Sequence, residues 1–182
     1  MLKPFKCLKE LGALVPCLIA NRYKDELSLV VASPNIPFSL TLLKKHFNYR
    51  FQVLSCISGV DFLVTKYRFS VVYDLLSLKY NSRIKVKTFV NEITPVTSSC
   101  EVFVNANWWE REIWDLFGIY FDNHPDLRRI LTDYGFEGHP MRKDFPLIGY
   151  IEVRFDESKK RVVTDSVEMT QEFRFFNYET PW

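Results

Sequence analysis

Alanine is scarce in this 182-residue chain: four residues, set against sixteen phenylalanines. Alanine is normally among the commonest residues. An AT-rich genome, such as an organelle's or a small bacterium's, produces this bias, because phenylalanine codons are AT-rich and alanine codons are not. Cysteine and histidine are also few. Cys7, Cys17, Cys56 and Cys100 never approach CxxC spacing, and only three histidines accompany them. Structural zinc and iron–sulfur sites draw on close ligand pairs, so these spacings argue against both and leave reduced thiols as the default. Long apolar runs are absent as well. The longest, "LGALVPCLIA", is interrupted by Pro16 and falls short of the roughly 18–20 residues that span a bilayer. Nor does the start read as a targeting segment. Glu10 sits at the edge of the apolar stretch, and the first twenty residues contain neither Arg nor Ser, which a transit peptide would be rich in. It reads instead as a short amphipathic helix carrying Leu8, Leu11, Leu14 and Val15, stopped by Pro16. With only six glycines, no Gly-rich nucleotide loop is present. The net charge of +2 is too small to imply nucleic acid or a membrane surface.

What is present points to an α+β protein: a mixed or antiparallel sheet with packed helices, followed by an extended, turn-rich tail. "CLIANR" and "ELSLVVA" read as strands around a polar turn. Pro37 opens a helix at its first turn, with Leu40, Leu43 and Phe47 on one apolar face; His46 lies beside that face as a surface residue. "YRFQVLSCIS" and "YRFSVVYDLL" are rich in β-formers, with Gly59–Asp61 interrupting the first. "RIKVKTF" alternates strictly, Ile84, Val86 and Thr88 one way and Arg83, Lys85 and Lys87 the other, as in a strand with one wet face. That basic strand also admits an alternative reading, a nucleic-acid-binding module, which the small net charge opposes.

The segment "NWWEREIWDLFG", residues 107–118, gathers three tryptophans, three carboxylates and an arginine on one helix. Ser98 with Glu101, and Asn107 with Glu110, have capping-box spacing. Glu110 is therefore expected to cap the helix start, and Arg111 to pair with Asp115 at i,i+4. Glu112 is left for an arginine of the tail or of a partner. Trp109, Ile113, Leu116 and Phe117 form an apolar face and Trp114 points elsewhere, so the helix is expected to pack on two sides, ending at Gly118. The residues Asn107, Trp109, Glu110, Arg111, Glu112, Trp114 and Asp115 thus read as a structural helix. The rival, a small hydrolase built on Glu110, Glu112 and His124, lacks a nucleophile motif. His124 and His139 each precede proline and flank turns.

Composition suggests a division into an α+β domain over residues 1–117 and a C-terminal segment over 118–182. The first carries 15 basic and 10 acidic residues, the second 9 and 12. The second also holds four of the six glycines and twelve aromatics, with a hairpin expected at "GYIEVRFDESKKRVVTD". The rest is aperiodic and turn-rich. Such a segment is usually functional when it is not disordered, and its aromatic and arginine content suits a protein–protein interface.

The run "ANWWEREIWDLFGIYFDNHPDLRRILTDYGFEGHPMRKDFPL" resembles the 30-kDa subunit family of respiratory complex I. The likeness extends upstream through "YDLLSLKYNSRIKVKT" and downstream through "VEMTQEFRFFNYETPW". It covers the chain from about residue 22 to the end. The resemblance implies an α+β domain and a C-terminal extension wrapping a neighbouring subunit, chiefly the large subunit of the quinone-reducing module in the hydrophilic arm. It implies no flavin or iron–sulfur cluster on this chain, with those cofactors on other subunits; the residues themselves read as holding no catalytic group and no metal. It implies no nucleic acid and no direct membrane span. The expected location is peripheral, on the matrix side of the mitochondrial inner membrane or, alternatively, on the cytoplasmic face of a bacterial one. Interface residues expected on the tail are Arg128, Arg129, Tyr134, Phe136, Arg142, Lys143, Phe145, Phe173, Phe175 and Phe176.

Overall fold

The computed structural model describes residues 11–12, 14–24 and 26–168, together with Arg174, Phe176 and Glu179. The expected N-terminal helix therefore falls largely outside the described residues, as do Phe173 and Phe175. The chain divides into two compact units, Met1–His139 and Pro140–Trp182.

The first unit is built on a five-stranded sheet. In chain order it contains β1 (Cys17–Tyr23), β2 (Glu26–Val31), helix α1 (Ile36–Lys45), β3 (Val53–Asp61), β4 (Phe69–Ser77) and β5 (Ser82–Val90). The spatial order is β1-β2-β5-β4-β3. All neighbours run antiparallel except β2 and β5, which pair in parallel. Strict alternation is what puts β5 at the centre: Ile84, Val86, Thr88 and Val90 are buried, while Arg83 and Phe89 are exposed. Leu29, Val31, Val71, Tyr73 and Leu75 join them on the buried face, where Ile36, Leu40 and Leu43 of α1 pack. Pro37 sits in the first turn of α1, as its fixed φ favours.

Three local expectations give way to tertiary structure. Strand β3 runs through Gly59 to Asp61 without interruption. The reason is a close approach: a Cβ on Gly59 would stand 2.7 Å from the Phe117 ring. Helix α1 stops at Lys45 and His46 turns to extended backbone, so Phe47 leaves the apolar face and is 64% exposed. No helix starts at Ser98; residues 100–102 form a turn, in which the Ser98 hydroxyl accepts the Cys100 N–H and donates to Glu110.

Strand β6 (Val96–Thr97) then leads to helix α2 (Ala106–Phe117), and β7 (Phe121–Asp122) returns to pair with β6 in parallel. Helix α2 ends where expected, with Gly118 left-handed at φ 75. Ile113 and Phe117 are buried against β3 and the core, with Trp109 and Leu116 partly buried beside them. The first unit continues to His139, beyond the boundary at residue 117 that composition suggests. Ile119 and Phe121 are core residues.

The second unit holds the expected hairpin, β8 (Ile151–Asp156) paired with β9 (Arg161–Ser166). Its turn is fixed by Asp156, whose carboxylate accepts from the N–H groups of Ser158 and Lys159 at 2.9 and 3.2 Å. The Phe145 ring meets Tyr150 edge-on at 5.3 Å.

Candidate functional site

Each charged residue of "EREIWD" except Glu112 holds a loop of its own chain. Glu110 and Asp115 are both 0% exposed. A carboxylate in that position must be hydrogen-bonded to remain charged at tolerable cost, and each has a full set of donors.

Glu110 accepts from the Ser99 N–H at 2.7 Å, and from the hydroxyls of Ser98 and Ser99 at 2.6 Å each. The Cys100 thiol lies 3.4 Å from its second oxygen. The expected capping role is thus overturned. The N-cap is Asn105, without a side-chain cap, and its amide donates instead to the Leu54 carbonyl at 2.8 Å. Glu110 points inward and fastens residues 98–100 to the helix.

Asp115 does the same for the segment after the helix. One of its oxygens accepts from the backbone N–H groups of Ile130, Leu131 and Thr132 at 3.2, 2.8 and 2.9 Å; the other accepts from the Thr132 hydroxyl at 2.6 Å. Burial pushes its pKa up. The Thr132 hydroxyl and the three N–H groups outweigh that and leave it below the ordinary 3.8. The Arg129 guanidinium completes the site at 3.5 Å. The expected pairing of Arg111 with Asp115 does not form. Arg111 donates to the carbonyls of Arg128 and Arg129 at 3.2 and 3.3 Å and lies over the Trp108 ring. Asp115 takes the donors of the 128–132 segment and Arg111 takes its carbonyls.

Two histidines belong to this arrangement. The His124 imidazole is buried, with Nε2 3.8 Å from Glu110 and 3.3 Å from the Asn107 carbonyl. Its Nδ1 accepts the Asp126 N–H at 3.1 Å, so Nε2 carries the ring hydrogen and donates it to Asn107. His139 bonds the Asp115 carbonyl at 2.9 Å, and its ring meets Trp114 edge-on. The role of both histidines as flanks of turns thus extends inward to the helix. Cys100, Glu110 and His124 place a thiol, a carboxylate and an imidazole within 4.8 Å of one another. Burial pushes the Cys100 thiol up to about 11.

The remaining expected site residues are dispersed. Arg128 is 70% exposed and pairs with Asp126 at 3.0 Å. Arg129 turns back, donating to the Gly138 carbonyl at 3.0 Å and lying over Phe136. Tyr134 is fully exposed. In the second unit Arg142 and Phe145 are half-buried and Lys143 is exposed, while Phe176 is 58% exposed. Glu112 is half-buried with no ion pair among the described residues. Of the basic strand, Lys85 is bound to Glu26 at 2.6 Å, and nothing supports the nucleic-acid alternative. Sequence reasoning missed Ser98, Ser99, Cys100, His124 and Thr132 as members of the network.

Fold and site together define an α+β domain whose last helix pins two connecting segments through buried carboxylates. The chain belongs to the respiratory-chain NADH dehydrogenase 30-kDa subunit family, whose model matches residues 29–151. It is accordingly a subunit of that respiratory complex, as its resemblance implied. It is 63% identical over 159 residues to NADH-ubiquinone oxidoreductase subunit 9 of Reclinomonas americana, covering 87% of this chain and 78% of that one. It is 61% identical over 143 residues to NADH dehydrogenase (ubiquinone) iron-sulfur protein 3 of Arabidopsis thaliana, covering 79% and 75%. Among solved structures, a chain of the membrane-bound sulfane sulfur reductase, an archaeal respiratory membrane complex, matches with a TM-score of 0.68 and 25% identity. That match covers 87% of this chain and 98% of the other.

Proposed function

We propose that this chain braces the quinone-reducing module of proton-pumping NADH:ubiquinone oxidoreductase and takes no part in its chemistry. It docks chiefly against the large subunit of that module, on the matrix side of the mitochondrial inner membrane. The carrying observation is that the two buried carboxylates of helix α2, Glu110 and Asp115, are committed to donors of their own chain. A general acid or base must reach a substrate proton. Glu110 and Asp115 are closed to solvent and spend their oxygens on N–H and O–H donors of residues 98–100 and 130–132. Among the described residues no helix is long and apolar enough to cross a membrane, which suits a peripheral position.

Relatives carry "iron-sulfur protein" in their names, yet the three cysteines among the described residues do not fit such a cluster. Four thiolates are the usual ligand set. Cys17, Cys56 and Cys100 stand on β1, on β3 and in the turn after β6. Burial raises the pKa of the Cys56 thiol, which also donates to Asp74, and Cys100 is raised further still. The Cys100–Glu110–His124 group does not fit a metal either, because His124 Nε2 holds a hydrogen rather than a lone pair. Flavin and clusters belong to other subunits in this reading.

The test acts on Arg128 alone, because Arg129 is bound within its own chain. Arg128→Ala is expected to leave the fold intact, since the side chain is exposed, and it removes a guanidinium suited to a partner carboxylate. Removing one member of a charge pair buried at an interface costs about 3–5 kcal/mol. The amount of intact complex on a native gel is expected to fall, with NADH-to-quinone turnover per intact complex unchanged. A normal amount of complex with turnover down about tenfold would place this chain in the chemistry and overturn the reading.

A further inference from the structure

Two stretches of the chain contain no aspartate or glutamate, residues 27–60 and 75–91. The fold joins them at one end of the sheet, where α1 gives way to the 46–52 loop and β4 turns into β5. There the Tyr80 hydroxyl donates to the Phe47 carbonyl at 2.9 Å. The exposed Phe47 ring carries two cations, with the Arg50 guanidinium 5.1 Å and the Lys79 ammonium 4.8 Å from its centroid. Leu78, next to Lys79 in the chain, is 67% exposed. Among the described residues neither Arg50 nor Lys79 has a carboxylate partner. Lys44, by contrast, is used internally, donating to the Val102 carbonyl and covering Phe103. Arg50 also has a φ of 43, a left-handed conformation uncommon for residues other than glycine. That strain is held by its N–H bonded to the His46 carbonyl and by Phe51 N–H bonded to Leu43.

We infer that this corner is a docking surface for an acidic segment of a neighbouring protein subunit, with Phe47 as its anchor and Arg50 and Lys79 as its charge partners. A solvated turn does not require an exposed apolar ring that carries two cations. Arginine and aromatic residues together characterise the centres of protein interfaces, and a guanidinium matches a carboxylate fork. A phospholipid surface fits less well, because recruitment to anionic lipid takes clusters of about four to eight basic residues. The inference rests on the reading of the chain as a bracing subunit, and the two fail separately. Turnover per intact complex tests that reading; contact at this corner tests this one.

The experiment places a photoreactive benzoylphenylalanine at Leu78 in the assembled complex. Irradiation is expected to join it to an Asp/Glu-rich segment of another protein subunit, and R50E/K79E to lower that yield about tenfold. R50Q/K79Q, with a smaller effect in the same direction, serves if the reversal prevents assembly. Circular dichroism of the full chain is expected to be unchanged by either pair. A cross-link to lipid, with the chain recruited to phosphatidylcholine vesicles containing cardiolipin, would overturn the inference. So would a cross-link to a segment without acidic residues, no cross-link at all, or a yield indifferent to both pairs.

Discussion

At Asp115 a single carboxylate gathers three backbone amides and a hydroxyl, which makes its ionisation a structural variable. Its folded pKa lies below the ordinary 3.8. A group depressed in this way stabilises the fold fully above its unfolded value, about 3.9, and loses that contribution as pH falls through the folded value. The amides of Ile130, Leu131 and Thr132 are therefore expected to keep their hydrogen-exchange protection at about pH 4 and to lose it together in more acidic solution. Asp115→Ala should remove that protection at every pH, since no acceptor remains for the three N–H groups. The expected cost is about 2–4 kcal/mol; protection unchanged in the variant would mean that the segment is held by other contacts. Cys100 offers a second check. With its thiol near 11, about one molecule in a thousand carries the thiolate at pH 8. Iodoacetamide should label it at least about a hundredfold more slowly in the native chain than in urea. Equal rates would show that the Ser98–Cys100 turn opens freely.

At the scale of elements, α2 and β3 meet in a close joint. A methyl group on Gly59 would overlap the Phe117 ring, and that ring is anchored in the core. Gly59→Ala is expected to lower stability by about 1–3 kcal/mol through overpacking, with part recovered by adding Phe117→Leu. A denaturant midpoint indifferent to Gly59→Ala would show that the two elements separate easily. Elements such as α2 and β5 were readable from local pattern: Gly118 marks the end of the helix, and Arg83, Lys85 and Lys87 alternate with an apolar row. The roles of the carboxylates were not. Asn107 and Glu110 have capping-box spacing, but Glu110's partners lie 11 and 12 residues before it, and Asp115's lie 15 to 17 residues after it. A window one helical turn wide does not contain either set. Phe47 was misplaced for a related reason: its periodicity fits α1, but the helix stops two residues earlier.

For the whole molecule the question is where the self-supporting part ends. Composition suggests residue 117. The hydrogen bonds suggest His139, because Asp115 and Arg111 fasten residues 128–132, Arg129 reaches Gly138, and His139 returns to the Asp115 carbonyl. Beyond that point the balance changes. The hairpin of β8 and β9 has two strands, and a two-stranded hairpin is marginal alone in water. Ile151, Val153, Phe155 and Val162 are all exposed on it, and Leu147 and Tyr150 are exposed just before it. A contiguous run of such residues marks a surface meant to be covered. Ordering that backbone costs about 1–2 kcal/mol per residue, which a partner subunit has to offset. Limited proteolysis of the free full-length chain is therefore expected to cut between residues 140 and 168 and to leave a resistant fragment ending near His139. In the assembled complex the same bonds should be protected. A resistant fragment ending near residue 117 would mean that the Asp115 anchor is too weak to hold its loop without a partner. Equal resistance in the free and assembled forms would mean that the hairpin is stabilised within this chain, and the extended segment would then have no need of a neighbour to order it.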